Sequence, residues 1–383
     1  MIRALLILTM ALLLAHSGTA FCAEPILLGA VFAKTGLAAK ANIHNYRMVR
    51  YAVNEINERG GLLGRNVVLL EYDNASSSLG SSAAAAQAVA DGVCCVVGPF
   101  WSAHAQAMGK VLQRARVPMI AAASTADAVT EAGDYIFRAG YVDSFQGRVI
   151  AAFALEDLKA RSVSVLTNIS TTYSPGLAAA FIKRFESGGG HVVQRGEYLL
   201  DTTDFSGFLL SMRELRPDIA FLPGYSRDTA LILMQAQNLG LDTVFVGGDG
   251  WSSLNDYPVF KAGFKGRGYF VSHWHRDSPV PESHAFLARY AAKSGDTEGD
   301  ATPASMVSYD AVGLFADAVR RANSCEPSAI RDALAATRDY PGVTGRITFD
   351  DKGNPSKQAV IIRQNGNRPE FVRIVQPYEA GTE

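Results

Sequence analysis

The chain is poor in cysteine, with four in 383 residues, at Cys22, Cys94, Cys95 and Cys325. Beyond the N-terminal segment three remain, an odd number without repeated spacing, so no disulfide framework follows from them. Cys94 and Cys95 are neighbours in an apolar run, where successive strand side chains point to opposite faces; they are expected to be buried fillers, not a bridge. Charge of one sign is also scarce. The formal net charge is −1, without a basic stripe or a run of like charges, which leaves no field for gripping nucleic acid. After the N-terminus no apolar run approaches the roughly 20 residues needed to cross a bilayer.

Catalytic signatures are missing as well. Lys34-Thr35 ends a segment that begins at Gly29 like a phosphate-binding loop, but Ala33 stands where the glycine before the lysine is required. Gly224-Tyr225-Ser226-Arg227-Asp228 lacks the second glycine of a nucleophile elbow. No dinucleotide fingerprint follows the first strand. His273 and His275 flank Trp274, yet no acidic or cysteine ligand is fixed beside them in sequence, so a surface or lobe-junction role is expected and not zinc. These absences predict no catalytic residue, no metal and no cofactor.

What is present begins with an export signal. Arg3 precedes an apolar run over 4–15 and then Ser17-Gly18-Thr19-Ala20, small residues that suit signal-peptidase cleavage after Ala20. Residues 1–20 therefore read as a signal peptide, and the destination as the periplasm. A lipid-anchored Cys22 is the lesser alternative, because Phe21 is bulky where a small residue is normally required.

The remaining length favours two lobes. Apolar runs at Ile26–Phe32, 67–72, 93–98, 118–122, 162–167, His191–Tyr198, 219–223, Val244–Gly247 and 268–273 alternate with helical patterns, as in parallel sheets with crossover helices. Tyr46, Val49, Val53 and Ile56 share one face of the first helix; Phe205, Phe208, Leu209, Met212 and Leu215 share one face of a later one. Gly60-Gly61 closes the first. Residues up to about 141 make one doubly wound unit and 143–273 a second. Late helices at 303–323 and 327–336 and strands at 345–350 and 359–363 suggest that the chain crosses between lobes more than once.

Small polar groups gather just beyond predicted strands, where open α/β sheets bind ligands. Ser102 is expected as a helix N-cap after Gly98-Pro99-Phe100-Trp101, and Ala123-Ser124-Thr125 follows the next strand. Together they offer hydroxyls and amides suited to a carboxylate. In the second unit Tyr173, Tyr225 and Asp249, the last within Gly247-Gly248-Asp249-Gly250-Trp251, also lie beyond strands. A rim tyrosine and a turn aspartate are the plain alternatives. Their shared placement argues for ligand contact.

Several segments then fall into one order: Gly29-Ala30-Val31-Phe32 with Thr35-Gly36, Asn54-Glu55-Ile56-Asn57 with Gly60-Gly61-Leu62-Leu63-Gly64, Val97-Gly98-Pro99, Pro118-Met119-Ile120, Phe137-Arg138, Gln146-Gly147, and Gly345-Arg346-Ile347-Thr348-Phe349-Asp350. In this order and spacing the chain resembles the leucine/isoleucine/valine-binding proteins, the branched-chain amino-acid branch of the periplasmic binding proteins that serve ABC transporters. The resemblance implies the type I periplasmic binding fold: two doubly wound parallel-sheet lobes joined by a three-segment hinge. It sets lobe I at 24–142 plus 274–345 and lobe II at 143–273 plus 346–383. It implies that Ser102, Ala123, Ser124 and Thr125 hold a ligand carboxylate, while Tyr173 and Tyr225 supply aromatic contacts and Asp249 an acid for an ammonium group. The implied partners are a small amino acid or related carboxylate and a membrane permease, with the protein itself a monomer. A sensing role beside a membrane signalling protein is the alternative from another class, and aromatic or other non-amino acids are the alternative ligands. One departure stands out. After Thr35-Gly36 relatives often place a residue that contacts the ligand side chain, whereas here the stretch reads Ala38-Ala39-Lys40-Ala41-Asn42.

Overall fold

The computed structural model describes residues 24–294 and 300–377. The expected signal peptide, its cleavage position and Cys22 lie outside the described residues. β1 (Ile26–Phe32), β2 (Val67–Asp73), β3 (Cys95–Val97), β4 (Met119–Ala121) and β5 (Ile136–Arg138) form one parallel sheet in the order β2-β1-β3-β4-β5. β6 (Ser162–Asn168), β7 (His191–Tyr198), β8 (Ile219–Leu222), β9 (Val244–Gly247) and β10 (Arg267–Ser272) repeat that order in a second sheet, reading β7-β6-β8-β9-β10. In each sheet the strand order reverses at one point, and the loops there splay apart to open a crevice at the carboxyl edge. β11 (Tyr340–Gly342), β12 (Gly345–Phe349) and β13 (Pro355–Ser356) make a small antiparallel sheet, and β14 (Ala359–Asn365) and β15 (Arg368–Val375) extend the second large sheet. These last two run antiparallel, so the second sheet is mixed and not purely parallel as expected.

Burial explains why the strands are so apolar. β1, β3 and β4 are covered on both faces by helices, and Leu28, Ala30, Val96, Val97, Met119 and Ile120 are fully buried. The helix Ala39–Glu58 turns the predicted face of Tyr46, Val49, Val53 and Ile56 into this core. It stops where Gly60 and Gly61 take positive φ values of 92° and 75°. In the helix Ser206–Leu215 the expected face is only partly used: Leu209 and Met212 are buried, while Leu215 is exposed.

The late helix Pro303–Ala322 starts at a capping box of Thr302 and Ser305 and packs back on the first lobe, its Val307, Ala311 and Phe315 sharing a core with Ile26 and Tyr46. Ile347 and Phe349 belong to that same core, whereas Ala359 and Ile361 pack with the second lobe. We therefore place the return to the second lobe near Lys357, later than the expected boundary at 345.

Three segments thus pass between the lobes, after β5, after β10 and before β14, and they touch. A side chain at Gly140 would meet His273 Cε1 at 2.9 Å. Lys357 Nζ donates to the Ala139 carbonyl at 3.2 Å and also bonds Thr344. Burial lowers the Lys357 ammonium to about 8, against the pull of Asp310.

Candidate ligand site between the lobes

Loops from the carboxyl edges of both sheets meet face to face. On the first lobe Gly98 follows β3 with φ 100°, a conformation open to glycine, and a Cβ there would lie 2.2 Å from the Val31 carbonyl. The carbonyl of Pro99 then accepts the Ala122 amide at 3.2 Å and Ser124 Oγ at 3.0 Å, pinning the loops after β3 and β4 together. Ser102 is the first residue of the helix Ser102–Ala115 and does not cap it as expected: Trp101 holds the cap position, and Ser102 Oγ accepts the Ala126 amide at 3.1 Å. Both hydroxyls therefore brace the receptor loops. Thr125 differs. It is buried, its carbonyl accepts the Asp143 amide at 2.8 Å, and its Oγ1 has no well-formed hydrogen bond.

Arg138 fixes the loop after β4. Fully buried, its guanidinium donates to the carbonyls of Ser124 (3.0 Å), Ala126 (2.9 Å) and Asp127 (3.0 Å). Its burial, without a carboxylate in contact, lowers it to about 10.

On the second lobe the glycines of 247–250 make room for neighbours. A Cβ at Gly247 would overlap the Trp251 ring, one at Gly248 would lie 2.6 Å from Tyr173 Oη, and one at Gly250 would lie 2.5 Å from the Gly224 carbonyl. The tight loop turns Asp249 inward. Its Oδ1 accepts Tyr173 Oη at 2.9 Å and Gln146 Nε2 at 3.0 Å, and its Oδ2 faces His273 Nε2 at 3.3 Å. Ser252, not the Asp249 carboxylate, takes up the turn's own bonds, with its N–H and hydroxyl both donating to the Asp249 carbonyl. Asp249 thus bonds groups from three other segments, unlike a turn aspartate.

Asp143 is the second buried acid here. Gln146 Nε2 bridges it to Asp249. Burial first, and then the Asp249 charge, hold the Asp143 carboxyl well above the ordinary carboxylate range, while Gln146 and Thr125 work against them. Burial lowers the His273 imidazole against the pull of Asp249, and its ring packs 3.9 Å from that of Tyr141. Tyr141 Oη and His273 Nδ1 are buried here without a hydrogen-bond partner, and the Thr125 hydroxyl and the Asp143 carboxyl face each other without a well-formed bond. Such groups are costly unless something meets them.

Aromatic rings close the other side. Trp101 of the first lobe stacks on Tyr225 of the second at 4.5 Å and 10°, and Tyr225 stacks on Tyr173 at 5.0 Å. A cavity of about 20 Å³ lies beside them, between Leu37, Ala41, Phe100 and Trp101 and the facing Tyr225, Arg227 and Asp228. The far larger groove of about 1060 Å³ lies at the cleft mouth, lined by Lys34, Lys40, His44, Arg47 and Lys261 among others. Two of its cations are engaged with protein acids, Lys34 with Glu71 and Arg47 with Asp300, so volume alone does not make it the site.

All seven expected residues are therefore at this junction: Ser102, Ala123, Ser124 and Thr125 on one side, Tyr173, Tyr225 and Asp249 on the other. Sequence reasoning did not place Trp101, Arg138, Asp143 and Gln146 at this junction, whereas it gave His273 a surface or lobe-junction role, and His273 lies at the junction. His273 and His275 do not converge: His273 faces Asp249, and His275 Nε2 meets the Pro369 carbonyl at 3.3 Å.

Two sheets of the same winding, hinged by three strands of chain and facing each other across a polar crevice, define a two-lobe solute receptor. The profile of the family described as periplasmic binding protein matches residues 25–368, and the chain belongs to that family, in its branched-chain amino-acid-binding branch. It is 27% identical over 339 residues to the Leu/Ile/Val-binding protein BraC3 of Rhizobium johnstonii, covering 88% of this chain and 90% of that one. The crystal structure of the leucine-binding protein LivK of Thermotoga maritima superposes with a TM-score of 0.86 at 28% identity, covering 92% and 99% of the two chains. LivJ of Streptococcus pneumoniae, solved with isoleucine, gives a TM-score of 0.85 at 30% identity, covering 92% and 100%. The family function is solute binding. No helix among the described residues is long and apolar enough to cross a membrane.

Proposed function

We propose that this protein captures an α-amino acid between its lobes in the periplasm, without chemical turnover, and presents the closed form to an ABC-transporter permease. Residues 1–20 direct export. Thr125 Oγ1 and the amides around Ala123 and Ser124 receive the ligand carboxylate, with Ser102 and Arg138 holding their loop. Asp249 receives the ammonium group, oriented by Tyr173, Gln146 and His273, and Tyr225 and Trp101 wall the side-chain end. A ligand that touches both lobes stabilises their closed arrangement.

The observation that carries this reading is the buried Asp249 carboxylate, which accepts from Tyr173 and Gln146 and faces His273, groups from three other segments. Buried carboxylates favour a cationic partner, and a zwitterion brings one together with an anion for the opposite lobe. Thermal-shift screening against amino acids and against carboxylic acids without an amine tests it. A ligand of the folded state raises stability by about 2.7 kcal/mol at about 100 times its Kd. Stabilisation by amino acids and not by their amine-free counterparts is expected; the opposite ranking would overturn the amino-acid reading.

A further inference from the structure

Cys94 and Cys325 lie far apart in sequence but at one place in the first lobe. Cys94 sits at the entrance to β3, its thiol 3.2 Å from the Leu27 carbonyl. Cys325 lies in the turn between the helices Pro303–Ala322 and Pro327–Ala335 and packs against the buried core that contains Cys94. Arg65 joins the two places: its Nη1 lies 3.0 Å from Cys325 Sγ, while Nε and Nη2 grip the carbonyls of Glu24 and Pro25 at the start of β1. Burial first and the Cys325 sulfur second push the Cys94 thiol up to about 12, with Arg65 opposing them. Cys95 is fully buried.

We infer that Cys94 and Cys325 are joined by a disulfide in the exported protein, stapling the turn between two late helices to the amino edge of the first sheet. The inference rests on the export proposed above, because an oxidising compartment supplies the oxidant, a disulfide-bonded thiol oxidase. Cys325 is partly exposed, which gives the oxidant access to its sulfur, whereas Cys94 is buried. The Cys325 thiolate attacks the oxidant's disulfide, forming a mixed disulfide and releasing one oxidant thiolate. Cys94, losing its proton, then attacks the Cys325 sulfur and releases the second. Two protein thiols are oxidised, one oxidant disulfide is reduced to two thiols, and the two protons pass to those thiols. The staple lies at the opposite end of the sheet from the ligand loops, so it acts on stability and not on binding.

The test is alkylation of the full-length exported protein without reductant, followed by peptide mass mapping, with a parallel arm in which purified reduced protein is treated with oxidised glutathione. A peptide linking Cys94 to Cys325 is expected in both arms, with Cys95 still a thiol. Reduction should lower the melting temperature by about 5 °C or more in wild type. It should do nothing to Cys325→Ser, and ligand affinity should stay unchanged. Free Cys94 and Cys325 in the exported protein, or a bond made instead by Cys95 or Cys22, would overturn the inference. If the chain stays in the cytoplasm with free thiols while oxidised glutathione forms the bond, the export reading fails and the pairing stands.

Discussion

Replacing Asp249 with asparagine exchanges one carboxylate oxygen for an amide and removes one negative charge. The surrounding donors show why the fold should tolerate it. Oδ1 accepts from Tyr173 and Gln146, and Oδ2 faces only His273. The asparagine oxygen can keep the first two bonds, and its NH2 can turn to the imidazole, whose Nδ1 has no hydrogen-bond partner and can carry the proton. What is lost is the charge-assisted bond to a ligand ammonium, worth about 1.5–3 kcal/mol. That converts to a loss of roughly 10- to 150-fold in Kd. Titration calorimetry of both proteins with the same amino acid measures it, and melting curves without ligand check the fold. Equal affinities in two equally stable proteins would refute the assignment of Asp249 to the ammonium.

Three other outcomes follow from the same geometry. Thr125→Ala should weaken binding by about tenfold or more, since a hydroxyl without a well-formed protein partner is removed from the carboxylate side; calorimetry on the folded variant decides. Arg138→Met should cost about 2 kcal/mol or more of stability, because the buried carbonyls of Ser124 and Ala126 and the partly buried one of Asp127 lose their donor; urea unfolding measures it, and an unchanged midpoint would contradict the role. Asp143 keeps its proton in the fold well above the ordinary range, so its contribution to stability falls as pH rises from about 4, where the unfolded carboxyl ionises. Asp143→Asn removes that fall, and its stability advantage over wild type should therefore grow between about pH 5 and about pH 8; a constant difference between the two proteins would refute the sign.

The fold was largely legible because doubly covered strands are continuous apolar runs. Ile26–Phe32, His191–Tyr198 and Val244–Gly247 have the expected bounds, and the other expected strands differ by a residue or two at their ends. β5 escaped because Ile136–Arg138 is only three residues long and carries a charged residue. β15 escaped because Arg368–Val375 is an edge strand with arginines at 368 and 373 and a proline at 369. At the site, the residues just beyond strands could be named from position alone. Gln146, Asp143 and His273 could not, since their role arises where separate crossing segments converge on Asp249. Arg138 enters the sequence reading only as part of the Phe137-Arg138 segment; only the fold shows it buried beneath the loop after β4.

The account stands most directly on the claim that one ligand is held by its two charged ends from two lobes. Calorimetry of the preferred amino acid against its amine-free acid and its carboxamide tests both ends at once. The account predicts one binding site per chain for the amino acid and a loss of about tenfold or more for each analogue. An amine-free acid that binds as tightly as the amino acid would contradict it.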